Sequence, residues 1–207
     1  MSDAAHDFVG RGALKLNHAL DAFGIDVTGF VCSDFGCNVG GFTEALLRRE
    51  GGGAARVYAI DTGYGALAWK LRNDERVVVM ERTNALHADP PDERMDLVVI
   101  DMGWTTQDVC IPAAMKWLKD GDGGGRVITL IKPHYEARRF GMESLLTKGI
   151  LSEEDAQRVC DRVVEDLPRH GVVVQGVTRS PIAGGQGKGK KGNAEWLAVL
   201  APSLREG

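Results

Sequence analysis

Four ionisable residues, Lys15, Asp101, Lys132 and Glu195, lie far apart in the chain, each beside a segment that reads as regular structure. Asp101 and Lys132 close two apolar runs, Asp96-Leu-Val-Val-Ile-Asp101 and Val127-Ile-Thr-Leu-Ile-Lys132. Lys15 falls on a predicted helix upstream of a glycine-rich turn, and Glu195 opens the last apolar run. In an open α/β sheet, ligands and chemistry collect at the carboxyl ends of the strands. Two lysines and two acids gathered there can bind a substrate, pair their own charges and lower one lysine's pKa until it serves as a base. Taken singly, three of them have plainer readings: Lys15 as a surface lysine on an amphipathic helix, Asp101 as a helix cap, Glu195 as a strand-edge charge. Lys132 differs, because it ends an otherwise apolar strand just before Pro133, where a lysine without a task is uncomfortable.

A second candidate lies in Asp34-Phe-Gly-Cys-Asn-Val-Gly-Gly-Phe42. Its glycines let the backbone approach a ligand closely. The spacing is neither GxGxxG nor a P-loop, since no Lys-Ser/Thr pair follows. The next apolar run ends in Asp61, an acid placed to accept both hydrogen bonds of a ribose diol. It could equally be a solvated strand-end aspartate or a helix cap. Turn and acid together indicate an adenosine-containing cofactor, and S-adenosylmethionine fits at least as well as NAD.

The elements that must position these groups follow from periodicity. Helical spacing covers residues 10–23 and stops at Gly24; further helices are expected over 41–49, 67–71, 107–118 and 152–169, the last opened by the capping box Ser152-Glu-Glu-Asp155. Strands are expected over 29–35, 57–61, 77–80, 97–101, 127–132, 171–178 and 196–200. Such alternation predicts an α/β fold with a seven-stranded, mainly parallel sheet and helices on both faces. Residues 1–207 read as one domain, with a flexible N-terminus at 1–9 and a flexible basic loop at 184–192.

Composition narrows the function classes. No apolar run reaches the ~20 residues of a membrane span, the N-terminus lacks a signal-peptide pattern, and the four cysteines form no CxxC pair. Reduced thiols and a cytoplasmic location are expected, with no metal site and no membrane partner. The formal net charge of −4 gives no global field for nucleic acid. Basic residues are nevertheless clustered: Arg11 with Lys15, Arg138 with Arg139, and Lys188, Lys190 and Lys191 after Arg179. They could form a local basic rim or be solvated loop charges.

Seven segments in order, Arg11-Gly-Ala-Leu-Lys-Leu, Asp34-Phe-Gly-Cys-Asn-Val-Gly-Gly-Phe-Thr43, Val57-Tyr-Ala-Ile-Asp-Thr-Gly-Tyr-Gly65, Leu67-Ala-Trp-Lys-Leu-Arg72, Glu81-Arg-Thr-Asn84, Val98-Val-Ile-Asp101 and Ile131-Lys-Pro-His-Tyr-Glu-Ala137, carry a resemblance. The chain resembles the methyltransferase domain of the TlyA/hemolysin-A family, within the wider FtsJ (RrmJ-like) group of RNA ribose 2′-O-methyltransferases. The resemblance implies a Rossmann-like class I methyltransferase fold, S-adenosylmethionine as cofactor, and a catalytic Lys–Asp–Lys–Glu tetrad at Lys15, Asp101, Lys132 and Glu195. It places Gly36, Asn38, Gly40, Gly41 and Phe42 in the cofactor turn and makes Asp61 the ribose acceptor. Thr83 and Asn84 fall on the adenine side, and Asp101 also borders the cofactor.

Two departures stand out. Full-length members carry an S4-type RNA-binding domain ahead of the Arg-Gly start, which is lacking here, and the family's usual Gly-Ala-Ser-Thr-Gly-Gly-Phe turn reads Gly36-Cys-Asn-Val-Gly-Gly-Phe42. The implied partner is RNA, ribosomal RNA or a ribosomal subunit, met through the basic rim, with an RNA-binding protein in place of the S4 domain. A small hydroxylated metabolite as methyl acceptor, or a non-catalytic module holding the donor or an RNA, are the competing functions.

The reaction so implied needs a base, because a ribose hydroxyl loses its proton only far above neutral pH. Lys132 is expected in that role, which requires its pKa to fall from ~10.4 towards ~7–8. Lys15 would supply the repulsion, while Asp101 and Glu195 orient the amines and oppose the fall. Trp104 is placed to stack on a base, cap the site or pack. His134 and Tyr135 are read as packing, and Asp34 as an organiser of the turn or as facing the amino-acid part of the donor through water.

Overall fold

The computed structural model describes residues 8–120, 124–185 and 192–203. Most of the expected basic loop, residues 186–191, and residues 1–7 of the expected flexible N-terminus lie outside the described residues. The chain runs α1 (Gly12–Ala22), β1 (Val31–Phe35), α2 (Gly41–Leu47), β2 (Arg56–Ile60), α3 (Trp69–Arg72), β3 (Val77–Met80), β4 (Leu97–Ile100), α4 (Gln107–Met115), β5 (Arg126–Ile131), α5 (Pro133–Glu136), α6 (Glu153–Asp166), β6 (Val172–Arg179) and β7 (Trp196–Pro202).

Seven strands form one sheet in the order β3-β2-β1-β4-β5-β7-β6. The five strands β1 to β5 pair in parallel, and β7 runs antiparallel to both β5 and β6. Parallel neighbours need a crossover of a dozen or more residues, normally a helix. No helix is seen among the described residues between β6 and β7, so the chain turns back and β7 enters reversed. That reversal brings the start of β7, where Glu195 sits, beside the end of β5, where Lys132 sits, with Ile131 opposite Trp196.

Alternate side chains of each strand feed two cores. On one face Cys32, Val57, Val99 and Leu130 meet Leu16 and Leu20 of α1 and Leu46 of α2. On the other, Phe35, Ile60, Ile100 and Ile131 meet Ile111 of α4 and Val159 and Val163 of α6. Each such side chain contributes roughly 1.5–3 kcal/mol on burial. The indole of Trp117 packs edge-on against Phe35 at 5.3 Å. Helix α6 starts as its sequence specifies: Ser152 Oγ accepts from the Asp155 N–H at 3.1 Å.

Helix ends are shorter than periodicity implies. Helix α2 stops at Leu47 rather than 49 and α4 at Met115 rather than 118. The single turn α5 has too few residues for a periodic signal, yet Pro133 begins it directly after β5, a position where the missing N–H costs nothing.

Candidate active site

The carboxyl ends of β1, β2, β4 and β5 form one crest, and the four residues singled out in the sequence meet on it in two ion pairs. Lys132, the last residue before α5, places Nζ 2.5 Å from Asp101 Oδ1 and donates to the Met102 carbonyl at 3.0 Å. Lys15 reaches over from α1 and donates to Glu195 Oε2 at 2.5 Å. The Lys15–Glu195 pair is buried, with side chains 10% and 3% exposed, whereas Lys132 and Asp101 keep 13% and 23% open to solvent. Burial raises the Glu195 carboxyl above its usual range, and Lys15 and then Lys132 pull it back, with Asp101 opposing. All four groups therefore share one field. The more open pair is the one a substrate can reach.

The glycine turn folds against this pair. Gly36 adopts φ +86, and a Cβ there would lie 2.9 Å from the Asp101 carbonyl oxygen. Gly40 adopts φ +99, and a Cβ would meet Leu71 at 2.2 Å and Leu67 at 2.8 Å. Only a residue without a side chain fits both conformation and space. Asp61 is drawn into the turn: Oδ2 accepts from the Asn38 N–H at 2.8 Å and Oδ1 from the Gly63 N–H at 2.7 Å. Each carboxylate oxygen retains further acceptor capacity, so the loop fixes the acid without exhausting it.

The remaining residues named from sequence fall differently. The Asn38 side chain is exposed, at φ +47. Phe42 is 2% exposed and packs on Gly12 of α1, so its ring belongs to the core. Thr83 donates its backbone N–H to the Asp61 carbonyl, and Asn84 Oδ1 accepts from the Leu86 N–H at 3.0 Å, an Asx turn.

Two features escaped the sequence reading, the setting of Tyr135 with His134 and the network of Glu136, whereas Trp104 is named there as a residue to stack, cap or pack. Trp104 is 87% exposed at φ +60, its ring tilted on that of Tyr135 at 4.9 Å. Tyr135, read as packing, instead presents its ring to Lys132 Nζ at 5.9 Å and to His134 at 4.1 Å. Burial, then Lys132 and Lys15, push the His134 imidazole down to about 4, so it is neutral at pH 7. Glu136, buried at the end of α5, accepts from the Gln107 N–H at 2.8 Å, and Gln107 accepts from Thr129 at 2.7 Å. This network ties the arch carrying Asp101 and Trp104 to the turn carrying Lys132. Its sequence signal was a glutamate four residues after Lys132.

The expected basic rim is not assembled among the described residues. Arg139 pairs with Asp108 at 3.3 Å and with Asp166, Arg179 pairs with Glu153, and Arg11 donates to the Ala183 carbonyl at 3.2 Å. Acids close to Arg139 and Arg179 in the folded chain, invisible in sequence spacing, neutralise their charges. Burial pushes all four thiols up, which leaves them protonated and unreactive. Among the described residues no group of three or more His, Cys, Asp or Glu side chains is arranged for a metal ion, and no helix is long and apolar enough to cross a membrane.

A sheet of this kind, with a glycine turn after β1 and an acid after β2, is the class I fold of S-adenosylmethionine-dependent methyltransferases, which solved examples share. More narrowly, the chain belongs to the FtsJ-like methyltransferase family, whose match covers residues 8–190. It is 41% identical to the 16S/23S rRNA (cytidine-2′-O)-methyltransferase TlyA of Mycobacterium tuberculosis, over 97% of this chain and 70% of that protein. It is 38% identical to YqxC, an rRNA methyltransferase candidate of Bacillus subtilis, over 93% of this chain and 65% of that one. A solved hemolysin candidate of Streptococcus thermophilus superposes with a TM-score of 0.83 at 36% identity, over 95% of this chain and 67% of that one. The chain thus spans about two thirds of the length of the relatives it matches.

Proposed function

We propose that this chain methylates a ribose 2′-hydroxyl of RNA, ribosomal RNA being the substrate class, with Lys132 taking the hydroxyl proton. The observation that carries the reading is the pairing of Lys132 with Asp101 on the strand crest beside the Gly36 turn. The cradle fits the methyl donor: Gly36 and Gly40 leave room that a Cβ would fill, and Asp61 offers a fixed carboxylate to a ribose diol. Gly41 and Phe42 support the turn from the α1 side, and Thr83 and Asn84 border the adenine end. S-adenosylmethionine, when bound, supplies an electrophilic methyl group on a sulfonium.

The protein's own work is then positioning and proton removal. Asp101 and the Met102 carbonyl hold Lys132 Nζ at one point, which confines its lone pair once the amine is neutral. Lys15, locked on buried Glu195, is a fixed donor at the edge of the same site, held where it can bind the substrate. Trp104, exposed and leaning on Tyr135 beside Lys132, offers a flat face for the base of the target nucleotide. Lys188, Lys190 and Lys191 bring the densest positive charge in the sequence, suited to phosphate. The names of the relatives support RNA as the substrate.

Incubation with methyl-labelled donor, total cellular RNA and ribosomes, followed by mapping of the label, tests the reading. Label on a ribose 2′-oxygen is expected. Label on small molecules alone, with RNA unmodified at low salt, overturns it.

A further inference from the structure

Beneath the cofactor turn lies a carboxylate that the proposed chemistry does not use. Asp34, near the end of β1, is wholly buried. Its Oδ2 accepts from Thr43 Oγ1 of α2 at 2.7 Å, while Oδ1 has no hydrogen-bond partner. A buried carboxylate oxygen without a partner is costly in its charged form. No lysine or arginine pairs with Asp34 among the described residues. The titratable groups around it are Asp61 from the end of β2, Asp101 from the end of β4, Cys37 from the turn and Cys32 on β1 itself. The cation on the crest, Lys132, is held by Asp101.

We propose that Asp34 is a buried charge sensor through which the cofactor site discriminates the cationic methyl donor from the neutral thioether product. The inference rests on the cofactor reading above. Burial raises the Asp34 carboxyl to about 7, against the pull of the Thr43 hydroxyl and with help from Asp101 and Asp61, so near neutral pH it is divided between neutral and ionised forms. The donor carries one more positive charge than the product left after methyl transfer. With a sulfonium bound in the cradle Asp34 would favour its anion and release its proton to solvent; with a thioether bound it would not. Donor binding therefore tightens as pH rises through 7 while product binding changes less, and each turnover weakens the charge that held the ligand. Asp34 acts through the field at the site without touching the ligand, which makes it a positioning residue for specificity.

Calorimetry of S-adenosylmethionine and S-adenosylhomocysteine binding to the whole chain, at pH 6 to 8.5 and in buffers of different ionisation enthalpy, tests this. The wild type is expected to release more protons with the donor than with the product. Its preference for donor over product should rise about three- to tenfold across this range, bounded by tenfold per pH unit for one proton. Asp34→Asn keeps an oxygen for Thr43 and should flatten the pH dependence of that preference. Thr43→Val, which removes the hydroxyl that lowers the carboxyl while keeping the backbone N–H that also does so, should move the rise to higher pH instead. A wild-type preference that is flat with pH, or a slope that survives in Asp34→Asn, overturns the inference. Failure of both ligands to bind at any pH overturns the cofactor reading itself, a distinguishable result.

Discussion

Replacing Lys132 by methionine keeps most of the side chain's length and removes its charge and its proton-accepting nitrogen. Breaking a fully buried ion pair on one side costs about 3–5 kcal/mol. Here Asp101 keeps 23% of its side chain exposed, so water takes over from the ammonium and the cost stays near the surface-pair range of about 0–1 kcal/mol. For a chain of this size that lowers the melting temperature by only about 2–4 °C, and the variant folds. Removing a positioned base costs about a hundred- to ten-thousandfold in the chemical step. Single-turnover transfer of labelled methyl to RNA, at saturating donor, reads that loss. Donor affinity should stay within about threefold, because the Gly36 and Gly40 cradle and Asp61 are untouched. A second readout is independent of turnover: His134 loses one of the two cations that hold it near 4, so its imidazole titration, followed by NMR, should move upward. Turnover within twofold of wild type would refute the assignment of the base. Loss of donor binding would show that the Lys132–Asp101 pair builds the cofactor pocket rather than the reaction.

Gly40→Ala forces a Cβ to within 2.2 Å of Leu71 at φ +99, and should weaken donor binding by more than about tenfold and lower the melting temperature; unchanged calorimetry would show the turn is free to adjust. In Gly184→Ala the new methyl would lie 1.9 Å from Glu195 Oε1, and displacing the carboxylate that holds Lys15 should cut turnover by at least about tenfold with little change in donor affinity. Trp104→Ala, at a side chain 87% exposed, should weaken RNA binding by about 1–3 kcal/mol and leave the melting temperature unchanged, and equal RNA affinity would remove the stacking role. Burial raises Glu136 from its ordinary 4.5 to about 7, so the folded state holds an extra proton between those values. The stability this adds is complete below the unfolded value and is lost as pH rises through 7. The melting difference between Glu136→Gln and wild type should therefore shift towards the variant from pH 5 to pH 8; parallel curves would contradict the burial argument.

Strand positions and the meeting of Asp101 with Lys132 were legible because both depend on local signals. Apolar runs of fixed length mark buried strands, and a charged residue at the end of such a run must face the crest. Asp101 and Lys132 are of this kind. The resemblance to a known family then placed Lys15 and Glu195, whose separation of 180 residues no local pattern could span. What stayed hidden depends on contacts between distant elements. The grip of Glu136 on the Gln107 N–H joins α5 to α4. The neutralisation of Arg139 by Asp108 and Asp166 required three elements to converge. Glu44 sits in the apolar stretch of α2, yet it is 1% exposed and binds the Val9 N–H at 2.6 Å and Lys70 at 2.5 Å. The direction of the Phe42 ring stayed hidden for a related reason: a motif fixes which residue stands at a position, but the neighbouring helix decides which way the ring turns.

Gly184 and Asn193 exchange both backbone hydrogen bonds, at 2.9 and 3.0 Å, and the Asn193 side chain ties this bridge to Gly149 and Leu151. The two ends that flank residues 185–192 are thus clasped together two residues before Glu195. Loops entered through closed ends tolerate changes of length cheaply, since doubling a loop adds only about 0.6 kcal/mol of closure entropy. The clasp between Gly184 and Asn193 holds Glu195 against Lys15 by contacts that use none of Lys188, Lys190 and Lys191. Substitutions of those lysines can thus change the charge of the segment without disturbing the carboxylate next to it.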